Sequence, residues 1–75
     1  MRHLVIEADG GSRGNPGPAA YGAVVLDART GEILVELADY LGIQTNNVAE
    51  YEGVTAGLVA AQEIDPTARI EARLD

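Results

Sequence analysis

The chain has 75 residues, no cysteine and a formal net charge of −7. At this length it forms at most one small domain, whose core supplies no more than about 3–5 kcal/mol of stability. The lack of cysteine excludes a disulfide-stapled secreted scaffold, and no apolar stretch approaches the roughly 20 residues of a membrane helix. The N-terminus also lacks the apolar core of a signal peptide. We therefore expect a cytoplasmic protein with no membrane partner.

The charge balance limits how the chain could bind nucleic acid. Only five Lys and Arg residues oppose twelve Asp and Glu residues. Since phosphate contacts need Lys and Arg, either the ligand is not a polyanion or cations mediate the contact. Carboxylates gathered around a divalent metal would give such an excess locally, although a solvated acidic surface is the more common cause.

The first half of the chain predicts three strands. Residues 4–8 form the first, and the Gly/Pro-rich segment after them predicts a long turn, with Asp9 where strand gives way to turn. Residues 21–26 and 32–40 form the second and third strands. The short loop DARTGE joins these two as a hairpin, so the three strands make an antiparallel meander.

The second half predicts a helix and a fourth strand. The period becomes helical over residues 45–63, and a stripe of small or apolar positions (53, 54, 57, 58 and 61) has Glu50 at its head. Its two glycines would let the helix lie close to a sheet. Residues 68–74 alternate again, and a right-handed crossover makes this strand parallel to the first. The expected fold class is α/β: a three-stranded antiparallel meander, one helix and a parallel fourth strand.

Three acids are expected to meet at one edge of this sheet. Asp9 ends the first strand, Asp75 ends the fourth, and Glu50 lies in the first turn of the helix. Because sites form outside the carboxyl ends of strands in α/β sheets, these carboxylates should converge and repel one another unless cations lie between them. Hard divalent ions suit such a site, and two Mg²⁺ ions can serve an in-line displacement at phosphorus. The chemistry indicated is phosphodiester hydrolysis, with Mn²⁺ as the alternative ion.

Each acid also has a simpler interpretation. Asp9 could start a turn by hydrogen-bonding its own backbone, and Glu50 could complete a capping box with Asn47 as the N-cap. Asp75 is a chain-terminal acid, which alone indicates nothing. Glu7 shares the face of Asp9, but an ion pair with Arg69 or Arg73 explains it better than catalysis.

Three motifs resemble type 1 ribonuclease H in order and spacing. They are DGGSRGNPGPAAYG at residues 9–22, TNNVAEYEG at 45–53 and the closing RLD, which together span essentially the whole chain. The sequence is most similar to the bacterial branch whose members sometimes carry a C-terminal phosphatase domain. The resemblance implies an endonuclease that cuts the RNA strand of RNA–DNA hybrids with two Mg²⁺ ions.

The resemblance also implies roles for particular residues. Asp9, Glu50 and Asp75 would be the catalytic, metal-binding carboxylates. The hybrid would be bound by turn and helix-start residues: Gly10, Gly11, Ser12, Asn15, Asn46 and Asn47. Amide side chains and turn backbone at these positions could recognise the 2′-hydroxyls that distinguish RNA from DNA.

The sequence also departs from the family. The family's domain is about twice as long and has a fifth strand, further helices, a fourth catalytic carboxylate and a mobile histidine. Residues 1–75 are therefore predicted to be the N-terminal portion of a single ribonuclease H-like domain. We expect this portion to be weakly active or inactive alone. A sheet without its later helices exposes an apolar face, so we expect the chain to be marginally folded or dimeric.

Two other functions compete with the enzyme. One is a non-catalytic RNA- or hybrid-binding module with the same fold, and the other is a small structural or dimerisation domain without a site. The retention of three early acids favours the enzyme, because binding alone would not require like charges to be held together.

Overall fold

The computed structural model describes residues 2–74 as four strands and one helix. The elements in chain order are β1 (His3–Ser12), β2 (Gly17–Asp27), β3 (Ile33–Gln44), α1 (Asn46–Ile64) and β4 (Arg69–Leu74). They build a sheet with the strand order β3-β2-β1-β4. β1 pairs antiparallel with β2 and parallel with β4, and β2 pairs antiparallel with β3. This confirms the predicted meander and the parallel fourth strand.

Helix α1 covers one face of the sheet at very short range. Leu4 and Ile6 of β1 and Val25 of β2 are fully buried beneath it. A Cβ added to Gly57 would collide with the Ile6 side chain, and one added to Gly53 would lie 3.2 Å from the Tyr21 Cβ. The two glycines therefore bring the helix backbone onto the sheet, as the sequence predicts. The opposite face of the sheet carries no helix within residues 2–74, and we call it the open face.

The prediction that β1 ends at Asp9 was wrong. The strand continues through Gly10 and Gly11 to Ser12, and it stays paired with β2 as far as Ala19. Gly10 is needed for packing rather than for turning, because a Cβ there would collide with the carbonyl group of Ala49 in the helix. The turn is confined to residues 13–16, where Gly14 takes a positive φ of 78°.

The second and third strands are also longer than predicted. β2 begins at Gly17 and β3 runs to Gln44, so the hairpin extends well past the predicted ends of both strands. Pro18 falls within the segment predicted as a long turn, but it lies at the second position of β2, where the strand is only beginning. The predicted hairpin loop is confirmed, since the Asp27 carboxylate accepts the N–H groups of Arg29 and Thr30 at 2.8 and 3.2 Å.

The start of α1 differs from the predicted capping box. Thr45, not Asn47, is the N-cap, and its hydroxyl oxygen accepts the Val48 N–H at 3.2 Å. Glu50 therefore lies beyond the N3 position, and the interpretation of Glu50 as a capping residue was wrong. The buried stripe consists of Ala49, Gly53, Gly57 and Ala61. Glu50 is half-buried beside this stripe rather than at its head, and Leu58 is 42% exposed.

In residues 2–74, α1 is the sole helix, and it is not long and apolar enough to cross a membrane.

Candidate active site

Asp9 lies on the open face, near the end of β1. It pairs with Gly22 of β2, and its side chain is exposed. The last described pair between β1 and β4 joins Ala8 to Leu74, the pair directly before Asp9. Asp9 lines a concavity of about 570 Å³ on this face. A carboxylate in this position is open to solvent and to any ligand that approaches the sheet.

The charged residues of that concavity are mainly acidic. Glu7 and Glu36 line it together with Asp9, and Arg73 is the one cation in its lining. The charge of Arg73 is paired with two glutamates. Its Nε donates to Glu71 at 2.7 Å, and its guanidinium lies 3.9 Å from Glu7. This confirms the predicted ion pair of Glu7. The hydrogen bond from Arg73 lowers the pKa of the Glu71 carboxyl, and Glu71 in turn raises the pKa of Arg73.

The backbone of Glu50 approaches the same end of β1 from the helix side. A Cβ at Gly10 would lie 2.8 Å from the Glu50 backbone nitrogen, so the first turns of α1 rest directly on the residue after Asp9. Neither Asp9 nor Glu50 makes an ion pair within residues 2–74. The third predicted acid, Asp75, lies outside the described residues. Between residues 2 and 74, no group of three His, Asp or Glu side chains is placed to hold a metal ion.

A hydrogen-bonded clamp joins the end of β1, the turn after it and the start of α1. The Asn46 Oδ1 accepts the Ser12 N–H at 2.6 Å and lies 2.9 Å from the Ser12 Oγ. The Asn15 Oδ1 accepts the Asn46 N–H at 3.1 Å. The Ser12 hydroxyl has one proton and two acceptors in reach, Asn46 and the carbonyl of Gly14. These contacts fix the turn against the helix start.

The clamp also determines how the two amides are oriented. A backbone N–H can only donate, so the atom of Asn46 that faces Ser12 and the atom of Asn15 that faces Asn46 must both be oxygens. Both NH₂ groups therefore point away from the clamp, and both side chains are exposed. Asn47 is exposed beside them at the second helical position. This end of the molecule presents exposed amide donors whose oxygens already accept hydrogen bonds within the clamp.

The other predicted binding residues, Gly10 and Gly11, lie in β1 rather than in a turn. Sequence reasoning missed the cap at Thr45, although a threonine directly before a helical period is a recognisable N-cap signal. It also missed the contact between Ser12 and Asn46, which are 34 residues apart. No local pattern connects them. The functional roles of the individual site residues stay predictions.

Comparisons with known proteins place the chain in a family. It is 51% identical over 55 residues to "Ribonuclease HI" of Halobacterium salinarum and 58% identical over 64 residues to the "Bifunctional protein Rv2228c" of Mycobacterium tuberculosis. These matches cover 73% and 85% of this chain. The solved N-terminal RNase H domain of Rv2228c superposes with a TM-score of 0.86 at 52% identity and covers 96% of this chain. The chain belongs to the type 1 ribonuclease H family.

A second solved ribonuclease H contains a bound RNA/DNA hybrid. LC11-RNase H1 in complex with an RNA/DNA hybrid matches 95% of this chain with a TM-score of 0.83 and 42% identity. No protein-family model matches this sequence. The ribonuclease H fold is thus shown by both the element order and the superpositions.

The chain spans only part of these relatives. It covers 52% and 53% of the two solved chains, 27% of the Halobacterium protein and 18% of Rv2228c.

Proposed function

We propose that the protein is a metal-dependent endonuclease that hydrolyses the RNA strand of RNA–DNA hybrids, and that Asp9 and Glu50 are two of its metal-binding carboxylates. The observation that carries the proposal is the contact of the α1 backbone at Glu50 with Gly10, which brings the elements bearing both acids together. Family membership and the likeness to a ribonuclease H solved with a hybrid support the substrate.

The donor set fits a hard divalent cation. Asp9 is exposed, Glu50 is half-buried, and both offer carboxylate oxygens with no Lys or Arg counter-ion within residues 2–74. Mg²⁺ binds through a few carboxylates together with waters and phosphate oxygens, and Mn²⁺ accepts similar ligands. Such an ion would neutralise phosphate charge and activate a water, while this chain's own acids hold it at the end of β1. Asp75 is proposed as the third carboxylate from the sequence.

The clamp supplies the proposed recognition of RNA. Asn15 and Asn46 present NH₂ donors, and Asn47 is exposed next to them. Oxygen atoms of 2′-hydroxyls and the acceptors of the minor groove are the matching partners for such donors. We propose that these residues, with the backbone of Gly10, Gly11 and Ser12, contact the hybrid.

An NMR titration of this chain with Mg²⁺ tests the proposed site. We expect amide shifts confined to the neighbourhoods of Asp9 and Glu50, and we expect them to disappear in Asp9→Asn. Glu36→Gln is the matched control, because Glu36 is an exposed acid on the same face. Shifts that spread over the acidic surface, or that persist in Asp9→Asn, would contradict the assignment.

A second measurement separates the enzyme from a non-catalytic binding module. Because residues 1–75 are expected to be weakly active or inactive alone, hybrid binding and cleavage of the labelled RNA strand are measured together for the wild type and Asp9→Asn in a chain extended to the length of the solved relatives. Binding that survives the substitution while cleavage is lost supports the catalytic role. Equal loss of both favours a binding module in which Asp9 is a contact residue.

A further inference from the structure

A second groove on the open face has a different character from the one at Asp9. It has a volume of about 530 Å³ and is lined by Gly11, Ser12, Arg13, Pro18, Ala19, Ala20 and Tyr40. We propose that this Arg13–Tyr40 groove binds one strand of nucleic acid, with a phosphate on Arg13 and a base stacked on the Tyr40 ring. This inference rests on the proposed function, because it extends the hybrid-binding surface beyond the acids.

The register places the groove next to Asp9. Gly11, Ala20 and Tyr40 form one row across β1, β2 and β3, and Asp9 and Gly22 belong to the adjacent row on the same face. Two residues along a strand are about 7 Å and two strand spacings about 10 Å. A strand whose phosphate lies at Asp9 would thus reach Tyr40 within a few nucleotides.

Charge distinguishes the two concavities. The groove is lined by one cation and no acid, whereas the concavity at Asp9 is lined by three acids and one paired arginine. Within residues 2–74 Arg13 makes no ion pair, while Arg2 and Arg73 both do. Although the chain has a net charge of −7, the guanidinium of Arg13 gives this groove a local positive charge that attracts a polyanion.

Tyr40 is presented as a stacking surface. It lies on the edge strand β3 and is 64% exposed. Gly11 and Ala20 beside it are small, so the floor of the groove leaves room for a flat base. The nearby Asp39 carboxylate accepts the Tyr40 N–H at 2.9 Å, and by strand alternation its side chain leaves from the opposite face. Bases stack on such rings without sequence preference.

The wall that carries Arg13 is held in place by hydrogen bonds. The Arg13 N–H donates to the Pro18 carbonyl at 2.9 Å, which closes the turn. Its neighbour Ser12 is bound to Asn46 through the clamp. The guanidinium is therefore attached to a fixed backbone, which reduces the entropy lost when it binds a phosphate.

Binding of labelled nucleic acid by the full 75-residue chain tests the proposal. The probes are a short oligothymidylate and a blunt RNA–DNA hybrid, measured by fluorescence anisotropy over a range of salt concentrations. The variants are Tyr40→Leu and Arg13→Gln. The matched controls are Tyr51→Leu, since Tyr51 is 70% exposed on the helix, and Arg29→Gln, in the hairpin loop.

We expect Tyr40→Leu to weaken oligothymidylate binding at least about fivefold with an unchanged salt slope, and Tyr40→Phe to restore it. Arg13→Gln should lower the slope of log K against log salt by about 0.7, the contribution of one phosphate contact to a single strand. Both controls should bind like the wild type. Groove variants that bind like their controls, or a wild type that binds neither probe at low salt, would overturn the inference.

The outcome separates this inference from the proposed function. If the groove variants behave like the wild type but Asp9→Asn removes the Mg²⁺ shifts, only the inference fails. If the groove variants lose strand binding but Asp9→Asn keeps those shifts, only the proposed metal site fails.

Discussion

The backbone N–H of Ser12 donates to the side-chain oxygen of Asn46 at 2.6 Å, and this contact ties the end of β1 to the first residue of α1. It lies in the same region as the contact between Gly10 and the backbone at Glu50. Strand, turn and helix are thus connected at two neighbouring points. These two contacts therefore set the separation of the two elements that carry the proposed acids.

Removal of the Asn46 oxygen should destabilise the protein. Asn46→Ala leaves the Ser12 N–H without its partner, and we expect a loss of about 1 kcal/mol in the free energy of unfolding. For a domain of this size, that corresponds to a fall of about 4–8 °C in the melting temperature. Thermal unfolding followed by circular dichroism measures it.

Asn46→Asp is the control for that substitution. It keeps an oxygen for Ser12 and places a negative charge at the helix N-terminus, so stability should be unchanged or slightly higher. It also replaces the exposed NH₂ group, and hybrid binding should weaken. If Asn46→Asp is as unstable as Asn46→Ala, the contact with Ser12 is not what stabilises this region.

The two buried helix glycines should respond differently to alanine. In Gly57→Ala the new methyl group collides with Ile6 of the fully buried core, and overpacking of this kind costs about 1–3 kcal/mol. In Gly53→Ala the new Cβ lies 3.2 Å from the Tyr21 Cβ, a tight contact rather than a collision, so a shift of a few tenths of an ångström between helix and strand relieves it. The gain of about 1 kcal/mol in helix propensity should then offset the cost.

Chemical denaturation of the two variants provides the measurement. We expect Gly57→Ala to have a clearly lower midpoint and Gly53→Ala a midpoint close to that of the wild type. Equal midpoints would show that α1 can move away from the sheet, which would contradict close packing as the reason for Gly57.

The sequence predicted those parts of the fold that depend on local periodicity. Alternation and the helical period placed all five elements, and the crossover rule made β4 parallel to β1. The prediction failed where a residue is required by a contact with a part of the chain that is distant in sequence. Gly10 was assigned to a turn because its collision partner, Ala49, is distant in sequence.

Only part of the arrangement of the candidate site could be predicted from the sequence, because the rest depends on contacts between residues that are distant in sequence. Asp9 and Glu50 were placed near one edge from strand and helix periodicity, and the resemblance supplied the asparagines. The orientation of the amides follows only from contacts that span 31 and 34 residues. The Arg13–Tyr40 groove arises from the register of three strands, which no single stretch of sequence contains.

Acidification should remove the stability that the ionised Asp27 carboxylate contributes at the hairpin loop. Backbone hydrogen bonds from Arg29, and then Thr30, hold the pKa of the Asp27 carboxyl below its usual value. A lowered pKa in the folded state stabilises the fold above the unfolded-state pKa of about 3.9, and this contribution is lost as the pH falls through the folded-state value. The melting temperature should therefore fall with acidification below about pH 4.

Asp27→Asn tests this origin, because its side-chain oxygen can still accept both N–H groups but cannot titrate. The variant should melt below the wild type at neutral pH, and the difference should shrink as the pH falls below about 4. Asp65→Asn should behave alike, since the backbone N–H and hydroxyl of Thr67 lower the pKa of Asp65. A difference that stays constant across the pH range would exclude titration as the cause.

Self-association stays a prediction, and the exposed side of α1 offers a specific test of it. Tyr51 and Leu58 are 70% and 42% exposed, and their spacing of seven residues places them on one side of the helix. Exposed apolar neighbours of this kind favour contact with another apolar surface.

Sedimentation velocity should show a sedimentation coefficient that rises with protein concentration. Leu58→Gln should shift the equilibrium toward monomer, whereas Glu63→Gln, at an exposed position on another side of the helix, should not. A compact monomer with a sharp thermal transition at all concentrations would contradict the prediction.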